Sequence, residues 1–267
     1  MPIRDSYEPG RPCWVDLSTS DPGAAGSFYT ELFGWEVQED PRPEAGGYAQ
    51  FVRNGHTVAG VGQLPAQGMP TTWTTYVASE NVDVTADVVA ANGGTILQPP
   101  MQVLDAGRMA LFSDPTGAVL GLWEAQKHIG AEFVTEPGGW SWSQLMTRDR
   151  EAALRFYQEV FDWHLESHPD WGEYLALHKG GGEIAGVSEM RDDFPPEMPA
   201  HWQVTFMVPD ADDVAALAQG LGGRPLAPVE DMAMGGRVGA IADPQGATFS
   251  LLSFARAFGQ DGSPQTG

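Results

Sequence analysis

Trp14 to Val37 reads WVDLSTSDPGAAGSFYTELFGWEV, and Trp142 to Leu165 reads WSQLMTRDREAALRFYQEVFDWHL. Aligned without a gap at an offset of 128, the stretches pair Leu17 with Leu145, Asp21 with Asp149, Phe28-Tyr29 with Phe156-Tyr157, Phe33 with Phe161 and Trp35 with Trp163. Ala59-Gly60-Val61 returns as Ala185-Gly186-Val187, Gly93-Gly94 as Gly222-Gly223, Arg108 as Arg237, and Asp114-Pro-Thr-Gly117 as Asp243-Pro-Gln-Gly246, in the same order and at offsets between 126 and 129. A fixed period of this length marks an internal duplication.

Each copy divides again. A short alternating strand leads to Asp21 or Asp149 as helix N-cap, and Ala25, Phe28, Tyr29, Leu32 and Phe33 then fall on one helical stripe. Alternating strands are expected around Tyr48 to Arg53 and Val58 to Leu64. After the Pro-rich junction Leu64 to Pro70, a strand over Thr72 to Ala78 precedes a helix over Val82 to Asn92, which Gly93-Gly94 ends. Two more strands flank the Asp114-Pro-Thr-Gly turn, where Pro and Gly suit a tight reversal. The unit is βαβββ, four times over, which makes the fold class α+β. The domains are expected at residues 1–130 and 137–258, with a boundary in the polar, Gly/Pro-containing stretch Lys127 to Gly139 and a Gly/Ser/Pro/Gln-rich disordered tail over 259–267.

The chain has 267 residues and one cysteine, Cys13, so an internal disulfide or a thiolate metal cluster is excluded. Fourteen basic against 36 acidic residues give a net charge of −22, which repels nucleic acid and anionic membrane. That acidity reads either as a solubility device or as attraction for a cationic small molecule. No apolar run approaches a membrane-helix length, and Met1 to Arg11 has no apolar signal core, so a soluble cytoplasmic protein is expected.

The strand, the capping Asp, the helical Phe-Tyr pair followed by Gly-Trp or Asp-Trp, and the closing Asp-Pro-x-Gly together resemble the vicinal-oxygen-chelate superfamily of glyoxalases, bleomycin-resistance proteins and extradiol dioxygenases. The tandem layout is similar to actinobacterial tandem proteins called hydroxylases or CFP30B-type antigens and to anthracycline-pathway accessory proteins. The resemblance implies two glyoxalase-like domains whose sheets curl into cups. It also implies metal-ligand positions: Trp14 and Trp142, Thr74 and Gln203, Gly121 and Ser250, and an acidic position where Ala59-Gly60 and Ala185-Gly186 stand. These residues offer one amide and two hydroxyls, too few donors for a first-row metal. His56, His128, His164, His168, His178 and His201 all fall elsewhere, and His164 with His168 reads as loop or strand-edge surface. No metal and no other cofactor is therefore expected.

Strand alternation puts Trp14, Asp16 and Ser18 on the face that carries the ligand position, joined by Thr74, Tyr76 and Trp123 and by the nearby Tyr48. In the second copy the corresponding set is Trp142, Gln144, Met146, Tyr174, Gln203, Thr205 and Ser250. Such a lining suits a flat aromatic ligand, cationic if Asp16 pairs with an amino group. Packing competes with this reading: Trp35, Trp163, Trp73 and Trp202 are expected in cores, Trp14 and Trp142 fit either role, Arg108 and Arg237 hold the sheet rim, and Asp114 and Asp243 belong to turns. No Gly-x-Ser-x-Gly elbow, phosphate loop or dinucleotide fingerprint occurs. The leading expectation is a metal-independent protein that sequesters or presents an aromatic natural product, as monomer or homodimer. The alternative is a cofactor-free isomerase, cyclase or hydroxylation partner with Asp16 as catalytic base.

Overall fold

The computed structural model describes residues 3–168, 173–177, 180–192, 194–232 and 235–254; the expected tail at 259–267 lies outside them. The first half runs β1 (Pro12–Thr19), α1 (Pro22–Phe33), β2 (Glu36–Glu39), β3 (Ala49–Arg53), β4 (His56–Gln63), β5 (Thr72–Ala78), α2 (Val82–Ala91), β6 (Thr95–Val103), β7 (Gly107–Ser113) and β8 (Val119–Ala125). The second repeats it with β9 (Trp140–Thr147), α3 (Arg150–Phe161), β10 (His164–His168), β11 (Glu173–Leu177), β12 (Glu183–Glu189), β13 (His201–Met207), α4 (Ala211–Gly220), β14 (Arg224–Asp231), β15 (Arg237–Ala242) and β16 (Thr248–Ser253). Each half is βαβββ twice, as the periodicity predicts.

Local chemistry sets these limits. Asp21 accepts a hydrogen bond from the Ala24 amide at 2.9 Å and Asp149 one from Ala152 at 3.0 Å, so each starts its helix by satisfying an open N–H. Gly34 (φ 69°) ends α1 and Asp162 (φ 56°) ends α3 in the left-handed region, which Asp tolerates better than most residues.

Each half forms one eight-stranded sheet, in the order β2-β3-β4-β1-β5-β8-β7-β6 and its counterpart β10-β11-β12-β9-β13-β16-β15-β14. The cores cross between halves. One packs α1 and the β1–β4 module against Phe206, Phe249 and Leu251 of the second sheet. The other packs α3 and the β9–β12 module against Phe112, Leu120 and Leu122 of the first. Where the sheets meet at their centres, Thr75 and Ser143 are fully buried and share a hydrogen bond of 2.8 Å. Alternation then turns the opposite faces, with Trp14 and Asp16 in one sheet and Trp142 and Gln144 in the other, away from each other.

Indoles lock the arrangement. Trp35 donates to the Gly138 carbonyl at 2.6 Å, and Trp163 to Gly10 at 2.7 Å, so each reaches the segment leading into the other half's first strand. Trp73 donates to the Tyr29 hydroxyl and Trp202 to Tyr157, both at 3.0 Å. All four are buried, as expected. Arg108 pairs with Asp83, and Arg237 with Asp212 and Asp231, tying helix starts to the sheet rim. His164 is exposed on the edge strand β10; the His168 side chain lies outside the described residues.

Candidate functional site

Strand register assembles the first cup from two rows. Gln50, Gly60, Asp16 and Thr74 lie side by side on β3, β4, β1 and β5. Trp14, Tyr76, Gly121 and Leu111 form the next row on β1, β5, β8 and β7. Trp123 and Met109 follow on β8 and β7, and Met109 pairs with Met101 on β6, which is 42% exposed. The floor is thus Trp14, Tyr76, Thr74 and Trp123, all buried, while Asp16, Ser18, Tyr48 and Gln50 are partly open. Met101, Met109 and Leu111 make an apolar wall, grouped by the pairing of β6, β7 and β8 and not by any motif in the sequence.

Asp16 is the centre of this cluster. The Tyr76 hydroxyl donates to its Oδ2 at 3.1 Å, and the Trp14 indole donates to the Tyr48 hydroxyl at 3.2 Å. Burial pushes the Asp16 carboxyl up to about 7, against the opposing pull of hydrogen bonds from Tyr76 and Tyr48. Burial, then the nearby Asp16 charge, holds both tyrosines well above the ordinary phenol range. The partner that the sequence does not reveal for Asp16 is therefore a pair of tyrosine hydroxyls.

The glycines of this cup are required by close approach. A Cβ on Gly60 would lie 1.9 Å from the Tyr48 hydroxyl, and one on Gly121 would lie 2.0 Å from Cδ1 of Tyr76. Tyr48 also crosses Gly62, where an added Cβ would stand 3.0 Å from its ring.

At the positions carried over by resemblance, side-chain donors for a metal are few. Trp14, Gly121 and Gly60 bring no side-chain donor, Thr74 brings a neutral hydroxyl, and the space over both glycines holds tyrosine atoms. No cluster of three or more His, Cys, Asp or Glu among the described residues is arranged around a common point. The residues present do not fit the metal of the resembled enzymes.

An irregular segment also borders the cup. Beyond β8, His128 donates its amide to Ala106, Ala131 donates to Cys13, and Glu132 donates to Thr57. The His128 ring stands edge-on to Trp14 at 4.4 Å between centroids and 5.6 Å from Trp123, whose indole donates to the His128 carbonyl at 2.8 Å. Sequence alternation does not place His128 in the cup, because a side chain in an aperiodic junction has no face assigned by a strand period. A cavity of about 140 Å³ continues the cup under the N-terminal segment, between Tyr7, Ala78, Trp123 and Ile129. A larger groove of about 520 Å³ lies between α2 and the end of α3, with Asn81, Thr85 and Phe161 along it, away from the Asp16 cluster.

The second cup brings Trp142, Gln144, Met146, Gln203, Thr205 and Ser250 together on the other sheet. Here the Trp142 indole donates to Gln144 Oε1 at 2.8 Å and Gln144 donates to Ser188 at 2.7 Å. Gln203 lies 3.3 Å from the Ser250 hydroxyl. Gln144 fills the space over Gly186, where an added Cβ would meet its Oε1 at 1.9 Å. This cup is a neutral amide and hydroxyl network without a carboxylate at the place of Asp16. Tyr174 sits on β11, and its side chain lies outside the described residues.

Comparison with known proteins bears on the family and the fold. CFP32 of Mycobacterium tuberculosis is 42% identical over 258 residues, covering 94% of this chain and 98% of its own. The anthracycline biosynthesis protein DnrV of Streptomyces peucetius is 33% identical over 273 residues, covering 94% and 96%. Among solved structures, the Mn(II)-bound glyoxalase from Novosphingobium aromaticivorans superposes with a TM-score of 0.64 at 16% identity over 92% of this chain and 82% of that one. An extradiol ring-cleaving dioxygenase from B. fuscum gives 0.64 at 12% identity over 99% and 78%. At such identities these two structures speak for the fold alone. With the family model matching residues 12–122 and again 139–251, the chain belongs to the Glyoxalase/Bleomycin resistance protein/Dioxygenase superfamily.

Proposed function

We propose that this protein binds an aromatic small molecule of secondary metabolism in its first cup, independently of a metal, as an accessory to biosynthesis or resistance in the cytoplasm. The observation that carries the reading is the Asp16 carboxylate set among Tyr76, Tyr48 and Trp14, on the sheet that also carries the apolar residues Met101, Met109 and Leu111. A flat ring system stacks on indole and thioether surfaces, and a carboxylate with free lone pairs accepts from its amino or hydroxyl group. The relation to DnrV, whose name places it in anthracycline biosynthesis, supports the ligand class. The second cup, lacking the carboxylate, serves as support. Titrating the full chain with polycyclic aromatic amines and quinones should quench tryptophan fluorescence, and Asp16→Asn should weaken that binding severalfold. Absence of quenching across the series at high micromolar concentration would refute it.

A second reading rests on the placement of Asp16 against the Tyr76 hydroxyl, at 3.1 Å, in surroundings whose burial pushes its carboxyl up to about 7. A group of that acidity takes and returns protons at working pH, and tyrosine hydroxyls beside it suit a developing enolate or phenolate oxygen. In this reading Asp16 is the base of a cofactor-free isomerisation or cyclisation. The two separate on Asp16→Asn: a binder loses affinity, whereas an enzyme keeps most affinity and loses turnover.

A further inference from the structure

We propose that His128 is a ligand-recognition residue of the first cup, donating a hydrogen bond from Nε2–H to an oxygen acceptor on the ligand, a quinone or aryl ketone carbonyl. The inference rests on the aromatic-ligand reading above and adds a requirement to it, since Asp16 selects a donor group and His128 selects an acceptor.

Three observations converge on this assignment. The ring packs edge-on against two cup-face side chains, with Trp14 at 4.4 Å and Trp123 at 5.6 Å between centroids. On its Nδ1 side stands the Gln50 amide nitrogen, at 3.4 Å, and Gln50 shares a strand row with Gly60 and Asp16. Nε2 is shielded from solvent and has no hydrogen-bond partner in the protein. An amide N–H₂ can only donate, so Nδ1 accepts and the proton of the neutral ring lies on Nε2. Burial keeps the ring neutral by lowering its pKa to about 4, against a small opposing pull from Glu132. The chain thus holds a buried donor, aimed away from Gln50, that nothing in the protein satisfies. Such a group costs stability when left alone and repays it when an acceptor arrives.

The backbone makes the placement firm. Trp123 fixes the His128 carbonyl, the His128 amide donates to Ala106, and two residues on the Gly130 carbonyl accepts from Thr57. Gly130 itself has φ 115° and passes so near the chain that a Cβ there would lie 2.2 Å from the Cys13 carbonyl oxygen. His128 is therefore presented by a tied segment.

Two measurements on the full chain test this. Nitrogen-15 NMR of the ligand-free protein should report a neutral His128 with its proton on Nε2 at neutral pH; a proton on Nδ1, or a charged ring, would overturn the assignment. Fluorescence titration should then compare aminoanthraquinone with aminoanthracene, which share the amine and ring system and differ in the carbonyls. Wild-type protein should prefer the quinone by about tenfold, the worth of one hydrogen bond to a buried donor. His128→Phe should erase the preference while still binding aminoanthracene, and His128→Gln, whose amide keeps a donor, should retain part of it. Equal affinity of wild-type protein for the two compounds, or a preference that survives His128→Phe, overturns the role of His128 and leaves the cup's function standing. Failure of both compounds to bind wild-type protein overturns the two together.

Discussion

The Tyr29 hydroxyl of the first half donates a hydrogen bond to Oδ2 of Asp243 in the second, at 2.9 Å and fully inside the protein. Tyr157 returns the bond to Asp114 at 2.8 Å. The other oxygen of each Asp-Pro-x-Gly aspartate accepts from its own turn, at the Ala118 and Ala247 amides. The turn aspartates thus also join the two halves, a role that their tight-turn context does not disclose.

Tyr29→Phe removes the donor to Asp243 and the acceptor of Trp73 together, leaving Oδ2 of Asp243 and the Trp73 indole N–H without these partners. We expect it to lower unfolding free energy by about 1–3 kcal/mol in urea denaturation, with Tyr157→Phe close behind. A variant as stable as wild type would show that the crossed network is incidental.

Asp16 is predicted to make stability fall as pH rises toward neutrality. Its folded pKa, about 7, exceeds its ordinary 3.8, so the folded protein holds a proton that the unfolded chain releases. Between these values stability falls as pH rises, and above the folded pKa the whole cost is present. Asp16→Asn removes this dependence. The variant should match wild type near about pH 4 and exceed it by about 2–4 kcal/mol near pH 8.5, read from denaturation midpoints. Equal midpoints at both pH values would mean that the carboxyl is not raised.

Gly60 and Tyr48 are predicted to couple. Gly60→Ala places a methyl group 1.9 Å from the Tyr48 hydroxyl, and the tyrosine must leave its place beside Asp16 and Trp14. We expect a loss of about 1–3 kcal/mol and a weaker first-cup affinity. Because Tyr48→Ala opens the same space, the double variant should cost less than the two singles combined; strict additivity would place Tyr48 elsewhere.

The donor set predicts the response to metal. Dialysis of the full chain against Mn(II), Fe(II) or Zn(II), followed by elemental analysis, should leave well under one equivalent bound. A stoichiometric ion whose binding is abolished by substituting a cup residue would show that the side chains over Gly60 and Gly121 move aside to admit it.

The duplication, the four βαβββ units, and the face shared by Trp14, Asp16, Ser18, Thr74 and Tyr76 are determined by the sequence by itself. Each follows from a short-range rule: repetition at fixed offset, a capping Asp before an apolar stripe, and a period of two along a strand. Tertiary structure alone decided that Tyr29 meets Asp243, that Tyr48 and Tyr76 cover Gly60 and Gly121, and that His128 enters the first cup. No local period encodes those contacts. They arise where the packing of two sheets and the path of an irregular connection bring together residues distant in sequence, so the partners of a side chain such as Asp16 are set by the folded chain as a whole.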